Sequence, residues 1–333
     1  MNDVVFCGLQ VSGRFDSGNP VNSQGGSMTL ERGMKVHAIV VTFNPERDVL
    51  RHELELLAPQ VSKIWLVDNA SSQSLGSWVD GLGLHDKLQW IQMLGNLGLG
   101  AAQNAGMELA RAAGASHVLL LDQDSQPSPD MVDRLLAAST QLQAAGVPVA
   151  ALAPVYADSA TGPASGFVRL GLLDFKKQTV LPGQDVVEAD FVISSGSLIP
   201  VNMLDVIGLM DESLFIDHVD TEWCMRAQSK GYKLFGVSAA RMVHTLGDKR
   251  TRIWFLRWRN VPYHSPFRYY YIFRNGLLLQ RRPYIPTKWR IGEAFRAIRM
   301  LVFYSIWGAG RFARLKMMIL GIIDGIRGIS GRL

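Results

Sequence analysis

The sequence predicts an α/β fold built on a mainly parallel β-sheet. Three observations carry that expectation. Apolar runs of strand length recur at residues 36–43, 63–68, 88–94 and 117–122, helix-compatible segments lie between them, and each run stops abruptly at Asn, Asp or Gly.

VHAIVVTF (36–43) is nearly continuous in β-branched and aromatic residues and ends at Asn44-Pro45, which is how a strand covered on both faces reads. Residues 46–58 continue in a helical pattern. KIWLVD (63–68) then ends in Asp68-Asn69, and LQWIQML (88–94) ends in Gly95-Asn96. A helix over roughly 100–113 leads into HVLLLD (117–122). Strand, crossover helix and strand in alternation imply right-handed βαβ units. Further on, DTEWCMRAQSKGY (220–232) reads as a helix and YKLFGVS (232–238) as a strand.

Composition narrows the class. With 333 residues, 48% hydrophobic and 19% charged, the chain can bury a full core, which excludes wholesale disorder. Cys7 and Cys224 fit neither a disulfide framework nor a metal-ligand spacing, so a reducing, cytoplasmic setting is expected. Residues 1–33 contain NPVNSQGGS and lack a basic start leading into a long apolar core. They read as a disordered leader, with Met28 and Met34 as alternative starts. The net charge of +5 conceals an asymmetry: residues 1–240 carry 15 Lys and Arg against 26 Asp and Glu, whereas residues 241–333 carry 19 against 3.

In parallel sheets, ligands sit beyond the carboxyl ends of the strands. Thr42, Asn44, Asp68, Asn69, Asn96 and Asp122 all fall at such ends, so one shared cleft is expected. The alternative is that each simply terminates its strand, since Asn and Asp dominate turns. In LLLDQDS the carboxylates of Asp122 and Asp124 stand one residue apart. Like charges so placed repel, and a hard divalent cation between them would relieve the repulsion. A plain turn accounts for the pair equally well.

VVTFN, LVDNAS, NLGLGAAQNAG and LLLDQDS, followed by FVISSGSLIP (191–200) and LFIDHVDTEWCMRAQSKGY (214–232), together resemble the family 2 glycosyltransferases of GT-A fold. Within that family the pattern looks most like the bacterial rhamnosyltransferases, over about residues 35–280. The resemblance implies a Rossmann-like nucleotide-binding sheet flanked by helices. It implies transfer, with inversion, of a sugar from a nucleotide diphosphate donor, dTDP-L-rhamnose, assisted by Mg2+ or Mn2+. A UDP-sugar donor is the alternative, because Asp68, implied to accept from the imide of the base, meets the same imide in thymine and uracil.

By the same resemblance Thr42, Asn44, Asn96, Gly98 and Asn104 belong to the nucleotide-sugar site, Asp122 lies near the ribose, and Asp124 binds the metal. His244, after the YKLFGVS strand, occupies the place of a histidine that reaches the ion or the diphosphate. Its other reading is a strand-end histidine bonded to a carbonyl. Asp220 falls on the family's catalytic aspartate and Glu222 on its second acid. Val219 stands where the usual pattern has Glu. A partly desolvated carboxylate near other acids has a raised pKa, which suits proton abstraction. As first-turn residues the same acids would also complement a helix dipole, and Asp217 reads as structural. Ser195 and Gly196 offer acceptor or donor contact, or a tight turn. In RYYYIFRNG (268–276), Arg274 faces phosphate or packs on the sheet edge.

These features divide the chain into a leader (1–33), a GT-A domain (34–283) and a basic helical tail (284–333). A nicotinamide-dependent oxidoreductase would show G-x-G-x-x-G after the first strand, where FNPERD stands instead. A nucleotidyltransferase would need a basic glycine-rich loop, which is missing. A pI near 9.2 invites a nucleic-acid partner, but the acidic first two thirds would repel a polyanion, so none is expected. The tail's longest uncharged stretch, 300–310, is too short for the roughly 20 residues a bilayer needs. Ile291, Phe295, Ile298, Leu301 and Val302, and then Phe312, Leu315, Met318, Ile319 and Ile322, gather at helical spacing beside Arg and Lys. Such helices suit an anionic membrane interface, or they pack back on the domain. The first choice fits a glycan or glycolipid acceptor met at the cytoplasmic face of the inner membrane.

Overall fold

The computed structural model describes residues 9–10, 33–157, 165–171, 175–178, 185–244, 249–255, 257–306 and 310–333. The expected leader over residues 1–33 lies almost entirely outside them. The βαβ core follows the reading above closely. Strands β1 (Leu9–Gln10), β2 (Val36–Thr42), β3 (Lys63–Asp68), β4 (Leu88–Met93) and β5 (His117–Asp122) alternate with helices α1 (Arg47–Leu57), α2 (Gly76–Asp80) and α3 (Leu99–Ala112). After β6 (Gln126–Pro127) come α4 (Met131–Ala144), β7 (Val149–Ala157), β8 (Phe167–Leu170), β9 (Phe175–Gln178), β10 (Val186–Ala189) and β11 (Leu198–Pro200). The chain continues through α5 (Asn202–Val206), α6 (Val219–Ser229), β12 (Lys233–Val243), β13 (Lys249–Phe255) and β14 (Arg257–Tyr263) to α7 (Pro266–Gln280), α8 (Thr287–Ile306) and α9 (Arg311–Arg327).

The central sheet runs β1-β4-β3-β2-β5-β11-β7-β12-β10. Its pairings β4–β3, β3–β2, β2–β5 and β7–β12 are parallel. The short strand β11 departs from that pattern, wedged antiparallel between β5 and β7. It divides the sheet into a nucleotide-type half and a second half whose last strand, β12, delivers His244.

Alternation along β2 sends Ile39 and Val41 to the α3 side and Val36, Ala38 and Val40 to the side covered by α1 and α4. Leu50, Leu54 and Leu57 of α1 are completely buried there. Truncating any of them to Ala costs about 2–5 kcal/mol. β2 is therefore buried along its whole length.

The stretch 284–333 is joined to the rest by a packed interface. α9 lies along α7, where a Cβ on Gly321 would collide with the Tyr270 carbonyl and one on Gly325 would stand 2.8 Å from Leu277 Cβ. Trp289, Glu293, Arg314 and Met318 are buried. The apolar residues read as one surface are thus divided: Met318, Leu301 and Ile322 pack inward, whereas Phe295, Ile298, Val302, Phe312 and Ile319 remain exposed. Among the described residues no helix is long and apolar enough to cross a membrane.

Candidate active site

A cleft of about 520 Å³ opens at the carboxyl ends of β2, β3 and β5. It is lined by Thr42, Asn69, Asn96, Gly98, Asp122, Ser194, Ser195, Asp220 and His244, among others. Residues far apart in sequence meet there because each ends a strand or opens a helix at the same edge of the sheet.

One side of the cleft is tied together by side-chain amides. Asn69 Nδ2 donates to Asn96 Oδ1 at 3.1 Å, and Asn69 Oδ1 accepts from the Leu97 amide at 3.0 Å. Asn96 Oδ1 also accepts from the Gly98 amide at 3.1 Å. Gly98 has φ +95°, and a Cβ there would stand 2.5 Å from the Phe215 carbonyl oxygen, so only glycine fits. Asp68 lies just behind this wall, fully buried. Its Oδ1 accepts from Ser71 Oγ at 2.5 Å and the Ser71 amide at 3.2 Å, while Oδ2 has no partner in the protein. Burial raises its pKa, and the Ser71 and Thr42 hydrogen bonds oppose the shift.

On the opposite wall His244, 5% exposed, stands between the two carboxylates of DQD. Its Nε2 is 3.7 Å from Asp122 Oδ2 and its Nδ1 is 3.4 Å from Asp124 Oδ1. Asp122 reaches the cleft but is otherwise enclosed by protein. That desolvation raises its pKa, His244 opposes the rise, and Asp124 and Asp220 add to it. Among the described residues no three His, Cys, Asp or Glu side chains converge on a single point. Carboxylate and imidazole are donor types that suit Mg2+ or Mn2+, but His244 turns a different ring nitrogen to each carboxylate, so the three do not form an ion site as they stand.

Asp220 lies in the first turn of α6, and its Oδ1 accepts from its neighbour's amide, Thr221 N, at 2.7 Å. Its pKa is raised, chiefly by desolvation, with Asp217 adding and His218 opposing. The loop before it is strained: Phe215, Asp217 and His218 have φ of 64°, 62° and 65°. Three anchors hold it. Arg268 Nη2 meets Asp217 Oδ1 at 2.6 Å, and Asn275 Nδ2 lies 2.8–2.9 Å from the carbonyls of Leu214, Ile216 and Asp217. The third is Leu99 N, which donates to Phe215 O at 2.6 Å.

Several expected site residues stand elsewhere. Glu222, 1% exposed, points away from the cleft into a cluster with Arg226 (2.9 Å), Arg282 (3.1 Å) and Tyr284 Oη (2.5 Å). Asn104 is spent on the backbone of Met210 and on Glu212. Asn44 clasps Ser72 through its Oδ1 at 2.8 and 2.9 Å, since its φ of 49° turns the chain there. Gly196, at φ +85°, makes a turn against Pro154, and only the adjacent Ser194 and Ser195 face the cleft. Arg274 is wholly buried, donating to Leu214 O at 3.0 Å, and reaches no phosphate position.

Other contributors escaped the sequence reading. Gln123 and Arg268 line the cleft, and neither position carries a local signal. Glu53 is more telling. It is completely buried, with both carboxylate oxygens lacking a hydrogen bond. Burial raises its pKa well above the usual range, Asp124 and Asp122 add to the shift, and the nearby Ser125 amide opposes it. The signal was its spacing, which puts a carboxylate on the apolar stripe of Leu50, Leu54 and Leu57.

Comparison with known proteins agrees with this geometry. The family model described as "Glycosyl transferase family 2" matches residues 38–192. The chain is 32% identical over 299 residues to the dTDP-rhamnosyl transferase RfbF of Shigella flexneri, covering 89% of this chain and 97% of that one. It is 24% identical over 317 residues to the low-salt glycan biosynthesis hexosyltransferase Agl10 of Haloferax volcanii, covering 88% and 92%. Two solved structures share the GT-A-like fold. GalNAc-T7 with UDP, GalNAc and Mn2+ superposes with a TM-score of 0.55 at 14% identity, over 83% of this chain and 58% of that one. S. aureus TarS 1–349 with UDP-GlcNAc gives 0.53 at 17% identity, over 89% and 82%. Identity of 32% along nearly the whole of two chains, on a fold of this type, has one reading: the protein is a glycosyltransferase and belongs to glycosyl transferase family 2.

Proposed function

We propose that the protein is an inverting, cation-assisted rhamnosyltransferase that moves L-rhamnose from dTDP-L-rhamnose to a hydroxyl of a lipid-linked glycan, cell-surface polysaccharide or rhamnolipid acceptor. The donor assignment rests on the likeness to the Shigella relative over nearly the full length. The observation that carries the chemistry is that Asp122, Asp220 and His244 line one cleft, with Asp124 beside His244 at 3.4 Å.

In this reading the orphan Oδ2 of Asp68 accepts the imide proton of thymine, and the Asn69–Asn96 pair with the Gly98 turn shapes the wall beside the sugar. Asp122 would lie near the ribose, and Asp124 with His244 would hold the cation. When bound, the ion neutralises charge on the diphosphate as it departs. The acceptor hydroxyl attacks the anomeric carbon, the bond to the diphosphate oxygen breaks on the opposite face, and the hydroxyl proton goes to the Asp220 carboxylate. Asp220's raised pKa makes it a stronger base than an ordinary carboxylate. The exposed apolar and basic surface of α8 and α9 supports a peripheral position on the cytoplasmic face of the inner membrane. Because α9 packs on α7, that part is tested by exposed charges: Arg299→Glu with Lys316→Glu should weaken flotation with anionic vesicles.

The deciding experiment is donor hydrolysis across a panel of nucleotide sugars with Mg2+ or Mn2+. Turnover of dTDP-L-rhamnose well above that of UDP-sugars supports the reading. Preference for a UDP-sugar would replace the donor, and no turnover of any would remove the proposal.

A further inference from the structure

Beyond the cleft, two further cavities follow it in series. Asp217 and His218 line both the catalytic cleft and a second cavity of about 290 Å³. That cavity has a mixed wall, in which Thr221, His264 and Arg296 stand beside Phe175, Phe191 and Trp289. Ile272 and Glu293 in turn belong to its wall and to that of a third cavity of about 300 Å³, enclosed by α7, α8 and α9. The third is of a different character: Phe273, Leu277, Ala297, Leu301 and Ile322 face it.

The two polar residues in its wall are turned to other partners. Gln280 Nε2 donates to the Arg290 carbonyl at 2.9 Å, and the Glu293 carboxylate accepts from Arg296 at 2.5 Å and lies 3.5 Å from His218 Nε2. Only their aliphatic stems are left for an occupant. Ile298 and Ile326, 60% and 61% exposed, stand at the rim, and the exposed Phe295 and Val302 continue the apolar surface along α8. A volume of this size is at the lower end of ligand pockets, roughly 300–1,000 Å³.

The order, from Asp220 through a chamber of mixed polar and aromatic lining to one that is almost wholly apolar, matches one kind of molecule. We infer that the three cavities form a continuous acceptor track, in which the saccharide head of a glycolipid lies between Asp220 and Arg296 and its hydrocarbon chain enters the cavity between α7, α8 and α9. This rests on the reading of the protein as a transferase acting on an acceptor hydroxyl, and narrows the acceptor to an amphiphile. A polysaccharide without a lipid would leave the apolar chamber unused.

The test uses the full chain and a series of n-alkyl glucosides from ethyl to decyl, each below its critical micelle concentration, titrated calorimetrically with dTDP present. Affinity should rise by up to about fourfold per added methylene, the factor expected for full burial of a CH₂, and then level off as the chamber fills. Ala297→Trp, which fills the chamber, should bring decyl glucoside down to the affinity of the ethyl compound and leave dTDP binding unchanged. Ala294→Phe provides the same test from the neighbouring turn should the first variant not fold. Equal binding of ethyl and decyl glucosides would overturn the track, as would a chain-length dependence that both variants leave intact. Heat from none of them would overturn it too. Failure of dTDP itself to bind would strike the donor assignment instead, so the two ideas fail separately.

Discussion

Asp220 and Glu222 stand two residues apart on α6, yet their surroundings give them opposite tasks, and substituting them one at a time separates chemistry from stability. Glu222 is 1% exposed and is met by Arg226 at two points, by Arg282 and by Tyr284. In Glu222→Ala Arg226 and Arg282 lose the carboxylate they share, although Arg282 keeps Asp211. Breaking a buried pair from one side costs about 3–5 kcal/mol. The lower half of that range applies, because Arg226 keeps the carbonyls of Ile207 and Leu209, each at 2.7 Å. For a chain of 333 residues that is a fall of about 4–6 °C in melting temperature. Asp220→Asn keeps the acceptor for the Thr221 amide and relieves a desolvated charge, so its melting temperature should stay within about 2 °C. Its kcat should fall by about 10²–10⁴ while dTDP affinity is retained. Differential scanning calorimetry and single-turnover transfer on both variants read the two effects. A Glu222→Ala protein that melts normally but does not transfer would refute the reasoning, as would an Asp220→Asn protein within tenfold of normal turnover.

Gly98→Ala forces a side chain into a region of φ and ψ reserved for glycine, costing about 1–3 kcal/mol, and presses it on Phe215. A total loss of about 2–4 kcal/mol in urea unfolding is expected, and a change under 0.5 kcal/mol would contradict the close approach. Glu53 keeps its proton in the folded protein at pH values where the unfolded chain releases it, near an ordinary carboxyl pKa of about 4.3. Stability in the presence of a chelator should therefore decline as pH rises from that value toward the raised folded pKa. Glu53→Gln should match wild type near pH 4 and melt higher at pH 7; a constant difference across that range would reject the neutral acid. Asp68→Ala should weaken dTDP binding with or without Mn2+, whereas Asp124→Ala and, less so, His244→Ala should remove only the Mn2+-dependent part. Calorimetry in both conditions distinguishes them, and identical losses in all three variants would count against the division of roles.

The sequence made the first half of the sheet readable because burial on both faces leaves a plain mark: VHAIVVTF, KIWLVD and HVLLLD contain little that is polar before their last residues. The wedge of β11 left no such mark, since three residues cannot display a period. Candidate site residues divided similarly. Asp122, Asp220 and His244 were visible as polar residues at element ends, and the structure brings them to one cavity. Glu222 and Asn104 were misjudged because their partners lie about 60 and 106 residues later, at Tyr284 and Met210. A motif reports that an acid is required at a position. It does not report which way that acid turns.

The clamp that Asn275 places on the carbonyls of Leu214, Ile216 and Asp217 has a consequence for the order of biosynthesis. The loop carrying Asp220 is translated 58 to 61 residues before the amide that fixes it. At about 5–20 residues per second, a nascent chain waits roughly 3–12 s between making the loop and making its clamp. Strands β2 to β5 are already complete by then, so the growing polypeptide acquires the Asn69–Asn96 wall of the cleft first and the fixed position of Asp220 later. A ribosome stalled between residues 244 and 274 would hold a chain that has that wall and His244 but lacks the clamp on the loop that carries Asp220.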